Sequence, residues 1–541
     1  MQVQSLFLRK KSQGGLPLVD HFLRRLGLED LLSPQIAHRP YREALGLLVK
    51  SILLQPSALY RIEAWAQAYD PVWRPSAHLG DDALGRALDR LFEADRASLL
   101  TALILRAVRT FGIQTQQIHN DSTSVKFSGA YEHQKTKAVQ LRRGRSKDHR
   151  PDLKQLVYSL SVSAEGAVPV HFKAYAGNQS DDSTHWETWQ CLCQILGRAD
   201  FLYVADSKLC VKETMLRLDG EHGRFITILP RTRSEWAVFA EHTADNQVRW
   251  EPLWNRRALR KGQQRELFEL AAGAHRTAEG FALYWYRSSE KRQRDAQDRQ
   301  QRLETALQRL ERLNERRGSG PKTEPAVRRA AENILARYRV GSLVEYEIKL
   351  QPKVQFTQKT LRKPTFQIIR QRVVKPVPVL SARQNPTAIA RAQSVEGTFP
   401  LVTNTDLSAL EVLQKYKYQP HLEKRHCLGK SVLQISPVFL KNNTRIEALM
   451  FLYFIAELVA ALIERTVQEN MARRGIKALS ILPERRYSKT PSYAQILDTF
   501  AARTKEEIYE KDFCIKTFVE PLTELQQMLL QLLEIDAAVY R

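Results

Sequence analysis

The residues with chemistry to offer are three acids. Asp121 lies in HNDSTS after a β-like run, and Asp206 ends the apolar run FLYVAD. Each breaks a strand with charge, which alone more often marks a turn or an exposed edge than a site. Glu423 lies in YKYQPHLEKRHCLGK (416–430), with Tyr416 seven residues before it, Gln419 four before and Lys430 seven after. At about 100° per residue these offsets put all four on one face of a continuous helix. A Tyr, an amide, an acid and a Lys there suit a metal ion and a phosphate, although an amphipathic helix with a polar stripe has the same spacing. Pro420 should break or kink the helix, so the shared face is firm only from that residue onward. Acids brought from separate elements to one sheet edge can hold two divalent ions about 3.5–4 Å apart, the arrangement that stabilises entering and leaving oxygens in attack on phosphorus. Mg²⁺ suits such oxygen ligands, or Mn²⁺ in its place.

The elements that must position these acids follow from periodicity. Residues 15–112 read as helical, with apolar spacing in YREALGLLVKSILLQ (41–55), DDALGRALDRLFEA (81–94) and RASLLTALILRAVRTF (96–111). Asp81 or Asp82 is the expected cap of the second. This N-terminal domain is either a packing bundle or a carrier of a groove-binding helix. The texture changes at residue 113: a strand at 113–129, a hairpin at 155–166 and 167–177 turning at Glu165–Gly166, a helix at 182–199, a strand at 201–210, a helix at 211–220 and a strand at 224–230. Three strands and then alternating helix and strand predict a mixed α/β sheet. Residues 231–400 interrupt it with strand-like runs, two charged helices (292–317 and 325–340) around the breaker GSGP, and a β-rich basic stretch at 345–379. The helices are either a solvated hairpin or a basic arm for DNA. The α/β texture resumes at 397–406, with helix from Leu407 to about Lys430, an apolar helix near 446–470, and a tail at 476–541 that is expected to be helical.

Composition narrows the partner. The 541 residues, a length for three or four domains, carry 83 Lys and Arg against 59 Asp and Glu, a net charge of +24. Such a chain is drawn to polyanions, nucleic acid first among them. LRRGRSKDHRPDLK (141–154) gathers Arg142, Arg143, Arg145, Lys147, Arg150 and Lys154 into one loop beside the first acid, suited to tracking a DNA backbone. Five cysteines with no CxxC pair argue against a disulfide framework and for a reducing compartment. MQVQSLFLRKK does not read as a signal peptide. Ala448–Ile463 is shorter than a membrane span and carries Glu457, so a core helix is expected and no membrane.

Tyr416-x₂-Gln419-x₃-Glu423-x₆-Lys430 resembles the Tyr-Arg-Glu-Lys signature of bacterial insertion-sequence DDE transposases, with Gln419 in place of the Arg. His426 departs too, where relatives often have an aromatic residue. HNDSTS and YVADS are similar to the blocks around the family's two aspartates. AYAGNQSDDSTH (174–185) is similar to its Gly-Asn-x-x-Asp block through Gly177, Asn178 and Asp181. The resemblance runs over roughly residues 15–475. It implies an RNase H-like catalytic domain (113–230 and 401–475) with a β-rich insertion (231–400), preceded by a helical N-terminal DNA-binding domain (1–112) and followed by the tail. Asp121, Asp206 and Glu423 would then be catalytic and metal-binding, with Tyr416, Gln419, Lys430 and Asn178 facing DNA. The implied activity is Mg²⁺-dependent cleavage of double-stranded DNA at element ends and strand transfer to a target, by a homodimer in the bacterial cytoplasm. Trp236, Trp250, Trp254 and Trp285 are either insertion core or base-stacking residues. The competing readings are a transposase-derived DNA-binding protein without catalysis and an RNase H-like nuclease.

Overall fold

The computed structural model describes residues 6–73, 80–129, 131, 136–144, 150, 152–179, 184–256, 265–315, 323–361, 367–510 and 513–541. Arg145, Lys147, Asp181 and the GSGP breaker lie outside them. The chain divides into two compact units: Met1–Thr227 with Thr403–Asp406 and Val412–Arg541, and Ile228–Val402 with Leu407–Glu411.

The first unit opens with a strand, β1 (Leu6–Ser12), and then helices at Leu16–Leu26, Leu28–Leu32, Arg39–Leu54, Leu59–Gln67, Asp81–Glu93 and Arg96–Phe111. Their apolar stripes are buried: Leu84, Ala87, Leu88 and Leu91 in Asp81–Glu93, and Leu99, Leu103, Ile104 and Ala107 in Arg96–Phe111. The expected Asp cap on Asp81–Glu93 is corrected. Gly80 is the N-cap, and Asp81 and Asp82 occupy the first turn, where negative charge complements the helix dipole. Arg96–Phe111 is capped by Asp95, whose carboxylate accepts from Ser98 N at 3.1 Å, and it ends on Gly112 in the left-handed region.

The sheet that follows has β2 (Gln117–Phe127), β3 (Lys154–Ser163), β4 (Pro169–Ala176), β5 (Leu202–Ala205) and β6 (Arg224–Ile228) in the order β4-β3-β2-β5-β6. β2, β3 and β4 pair antiparallel, while β5 lies parallel to both β2 and β6. Helices Thr184–Leu196 and Lys212–Gly220 supply the connections that parallel pairing requires. This is the mixed α/β sheet that the periodicity predicts. β5 is apolar and fully buried, as expected of a strand covered on both faces.

The helix Asn443–Arg473 runs through the core of this unit. Its length and composition would suffice to cross a membrane, but its most apolar window is 89% buried in the protein. Phe454 stacks on Phe172 of β4 at 4.7 Å, and Phe451 meets the same ring edge-on at 5.6 Å. The tail is not helical throughout. Thr504–Glu510 pairs with β1 and with Phe513–Val519 in a three-stranded sheet, before the helix Glu524–Leu533. FCIKTFV is rich in β-branched and aromatic residues, and β1 offers it a sheet to join at long range.

In the second unit, Thr398–Thr403, Ala282–Ser288, Glu266–Ala271 and Trp250–Arg256 pair in that order. Trp285 is fully buried and stacks face to face on Phe239 at 3.8 Å. Trp236 lies against Trp285, Trp250 meets Phe239 edge-on, and Trp254 stacks on Phe268. All four tryptophans therefore pack with other aromatic rings of this unit. The charged helices Ser289–Arg312 and Glu324–Tyr338 join through Leu303, Ala306 and Leu310 with Val327, Ala331 and Leu335. The basic stretch forms an antiparallel ribbon, Val344–Leu361 with Gln367–Gln384, in unbroken register.

Candidate active site

Strand register brings the two aspartates together. β2 and β5 run parallel with Asn120 opposite Ala205 as their last pair, so the next residues are Asp121, still within β2, and Asp206, just past β5. Neighbouring strands lie about 4.8 Å apart, which sets the two acids side by side at one point of the sheet. Asp206 stands just past β5, where its Oδ1 accepts Lys208 N at 3.0 Å and its carbonyl accepts Thr227 Oγ1 at 2.6 Å. Asp121 Oδ1 accepts Ser122 N at 2.8 Å.

The segment around Glu423 is not one helix. Ala409–Tyr416 ends, a new helix begins at Gln419–Cys427, and Leu428–Val432 is a wider, π-type turn. Pro420 sits in the first turn of the second helix, where its missing N–H is tolerated. This corrects the single shared face. Glu423 is exposed, whereas Gln419 is buried against β2. His119 Nδ1 donates to Gln419 Oε1 at 2.8 Å, and Gln419 Nε2 donates to the Asn120 carbonyl at 3.4 Å. Gln117 Nε2 donates to His119 Nε2 at 2.7 Å, which completes a neutral imidazole. Burial pushes His119 down to about 4. The structure thus places Gln419 as a clamp between the Glu423 helix and the residues leading into Asp121, not on an exposed phosphate-facing surface.

Two further clamps hold that helix. Tyr418 Oη accepts Ala167 N at 2.8 Å, and buried Arg425 donates to the Ala167 and Gly166 carbonyls at 2.9 and 2.8 Å while pairing with Glu464. The turn between β3 and β4 is therefore the seat of the Glu423 helix.

All three acids act electrostatically on Tyr416. Its phenol is pushed up from the usual value by burial first, and then by the negative charges of Asp206, Glu423 and Asp121. Two histidines that the sequence reading left without a role also face the aspartates. His185 Nε2 is 3.8 Å from Asp206 Oδ1, and His426 Nε2 is 3.9 Å from Asp121 Oδ2. Lys430 lies in the π-type turn, whose Gly429 packs on Glu457; a Cβ at Gly429 would collide with the Glu457 carboxyl. Glu457 is fully buried and accepts from Tyr158 Oη at 3.2 Å, and burial pushes it up to about 8.

The donor chemistry of Asp121, Asp206 and Glu423 fits hard divalent ions such as Mg²⁺. Among the described residues no three His, Cys, Asp or Glu side chains form one ion-sized group.

The basic loop is anchored beside Asn178. Arg142 N donates to the Gln155 carbonyl at 3.3 Å, and Gln155 N donates back at 2.9 Å. Gly144 and Gly177 permit this approach: a Cβ on Gly177 would fall on the Gln155 and Arg142 carbonyls, and one on Gly144 on the Gly177 carbonyl. Arg142, Arg143 and Asn178 are exposed, while Arg150 forms a two-pronged pair with Asp152 at 2.8 and 2.7 Å.

No family model matches the chain, and no curated protein matches it. Among solved structures the chain is similar to a piggyBac transposase, seen in a synaptic complex with hairpin DNA. The TM-score is 0.27 and the identity 9%, over 50% of this chain and 59% of that one. The match thus spans less than two thirds of that chain's length, and a likeness of this size carries no argument about fold or function.

Proposed function

We propose that the protein is a DNA transposase of the DDE type, with an RNase H-like catalytic core in the first unit. The observation that carries the reading is the parallel pairing of Asn120 with Ala205. It sets Asp121 and Asp206 side by side at one point of the sheet, and both charges, with that of Glu423, push the Tyr416 phenol up. The signature spacing from Tyr416 to Lys430 and the net charge of +24 support the same reading. Divalent ions supply Lewis-acid polarisation of the scissile phosphate. Asp121, Asp206 and Glu423 bind and orient those ions. Arg142, Arg143 and Asn178 hold the DNA backbone, which fixes register without reading sequence.

The test is Mg²⁺-dependent cleavage and 3′-end joining on duplexes taken from the DNA that flanks the reading frame. Asp121→Asn, Asp206→Asn and Glu423→Gln should each abolish cleavage and leave duplex binding intact. Full activity in any one of them removes that residue from the assignment. The buried, engaged Gln419 in place of the signature arginine favours a second reading, a DNA-binding protein without catalysis. Wild-type protein that binds the ends but never cuts, in Mg²⁺ or Mn²⁺, would establish that one. Cutting without joining would instead identify a nuclease.

A further inference from the structure

His185 is the second residue of the helix Thr184–Leu196 and is 3% exposed. Its Nδ1 lies 3.0 Å from the Tyr203 hydroxyl. Tyr203 is fully buried in β5, three residues before Asp206, and its ring meets the imidazole edge-on at 6.0 Å. The other ring nitrogen, Nε2, is buried, has no hydrogen-bond partner among the described residues, and lies 3.8 Å from Asp206 Oδ1.

This arrangement selects a tautomer. Burial keeps the Tyr203 phenol protonated, and it donates to Nδ1 in the tautomer that turns an Nε2 proton toward Asp206. Nε2 must then carry the imidazole proton. The opposite tautomer would set a bare nitrogen lone pair against a carboxylate and leave it buried. An N–H buried without an acceptor is destabilising by about 1–3 kcal/mol, and Asp206 Oδ1 lies about 0.9 Å beyond an ordinary N–H···O distance. Movement of the Asp206 carboxylate toward Nε2 would close that gap. Direct ligation of an ion by His185 does not fit, because Nε2 is closed to solvent and has no lone pair in this tautomer.

We infer that His185, held by Tyr203, is a positioning residue that donates Nε2–H to Asp206 and so orients this carboxylate for a divalent ion. The inference rests on the metal-dependent reading above. Oδ1 already accepts from Lys208 N, so a second donor on the same oxygen fixes the plane of the carboxyl group. Donors placed behind a metal-binding group commonly change metal affinity about 10–100-fold when removed.

The experiment titrates Mn²⁺ onto the full chain and measures free ion by electron paramagnetic resonance, with a thermal melt of each variant. Wild type should bind, and Asp206→Asn should lose binding. His185→Phe should weaken Mn²⁺ binding about 10-fold or more. His185→Gln, which restores an N–H at the Nε2 position, should recover most of the affinity. Tyr203→Phe, which frees the tautomer, should fall between. His185→Phe binding as tightly as wild type, while Asp206→Asn does not, overturns the inference. So does His185→Gln as weak as a folded His185→Phe, since packing alone would then explain the loss. If His185→Phe does not fold, Tyr203→Phe decides, and wild-type affinity there overturns the inference. Wild-type protein that takes up no Mn²⁺ removes the metal-dependent reading itself.

Discussion

Gln419 shows how one residue changes role once its neighbours are known. In the signature its position belongs to a phosphate-facing arginine; here its amide joins His119 to the backbone of Asn120, one residue before Asp121. Arginine at 419 would offer no acceptor to His119 Nδ1 and would bury a charge, and an unpaired buried charge is destabilising by about 3–5 kcal/mol. Gln419→Arg is therefore expected to lower the urea midpoint without raising DNA affinity. A rise in affinity at unchanged stability would contradict the clamp. Glu457 offers a second test. Its folded value of about 8 lies above the usual 4.5, so between those values the folded chain holds a proton that the unfolded chain has lost. Stability from this group is full below about pH 4.5 and lost as pH rises through about 8, on the order of a few kcal/mol in all. Urea unfolding at several pH values should show that slope in wild type and a flatter one in Glu457→Gln.

At the scale of elements, positioning comes from close backbone approach and clamped helix starts. Gly177 lets the basic loop lie on β3 and the end of β4, and any side chain there displaces it. Gly177→Ala should destabilise the protein by about 1–3 kcal/mol and weaken duplex binding, because Arg142 and Arg143 lose their anchorage. Calorimetry and a binding titration on the same preparation would measure both effects, and unchanged binding would separate the loop from DNA. The helix from Leu407 to Lys430 was legible as helical sequence. Its division into three pieces was only half legible. Pro420 announces a break, but the restart at Gln419 depends on the seat that Tyr418 and Arg425 find on the Gly166–Ala167 turn.

For the molecule as a whole, the excess of 24 positive charges predicts binding to duplex DNA that falls steeply with salt. Each exposed arginine that meets a phosphate should account for about one unit of the log–log salt slope. Arg142→Ala and Arg143→Ala should each reduce that slope by about one and leave any sequence preference unchanged, as fluorescence anisotropy at several salt concentrations would measure. An unaltered slope in the double variant would place the DNA elsewhere.

By itself the sequence determined the mixed α/β texture, the helices that follow β1 and the apolar core helix. These follow from period and composition, which act within a few residues. Only tertiary structure decided what depends on distant partners: Asp121 and Asp206 meeting through parallel strand register, the tail pairing with β1, Gln419 turning inward to His119, and His185 aiming at Asp206. No local pattern encodes those pairings, because each partner is tens to hundreds of residues away and is chosen by how the chain packs.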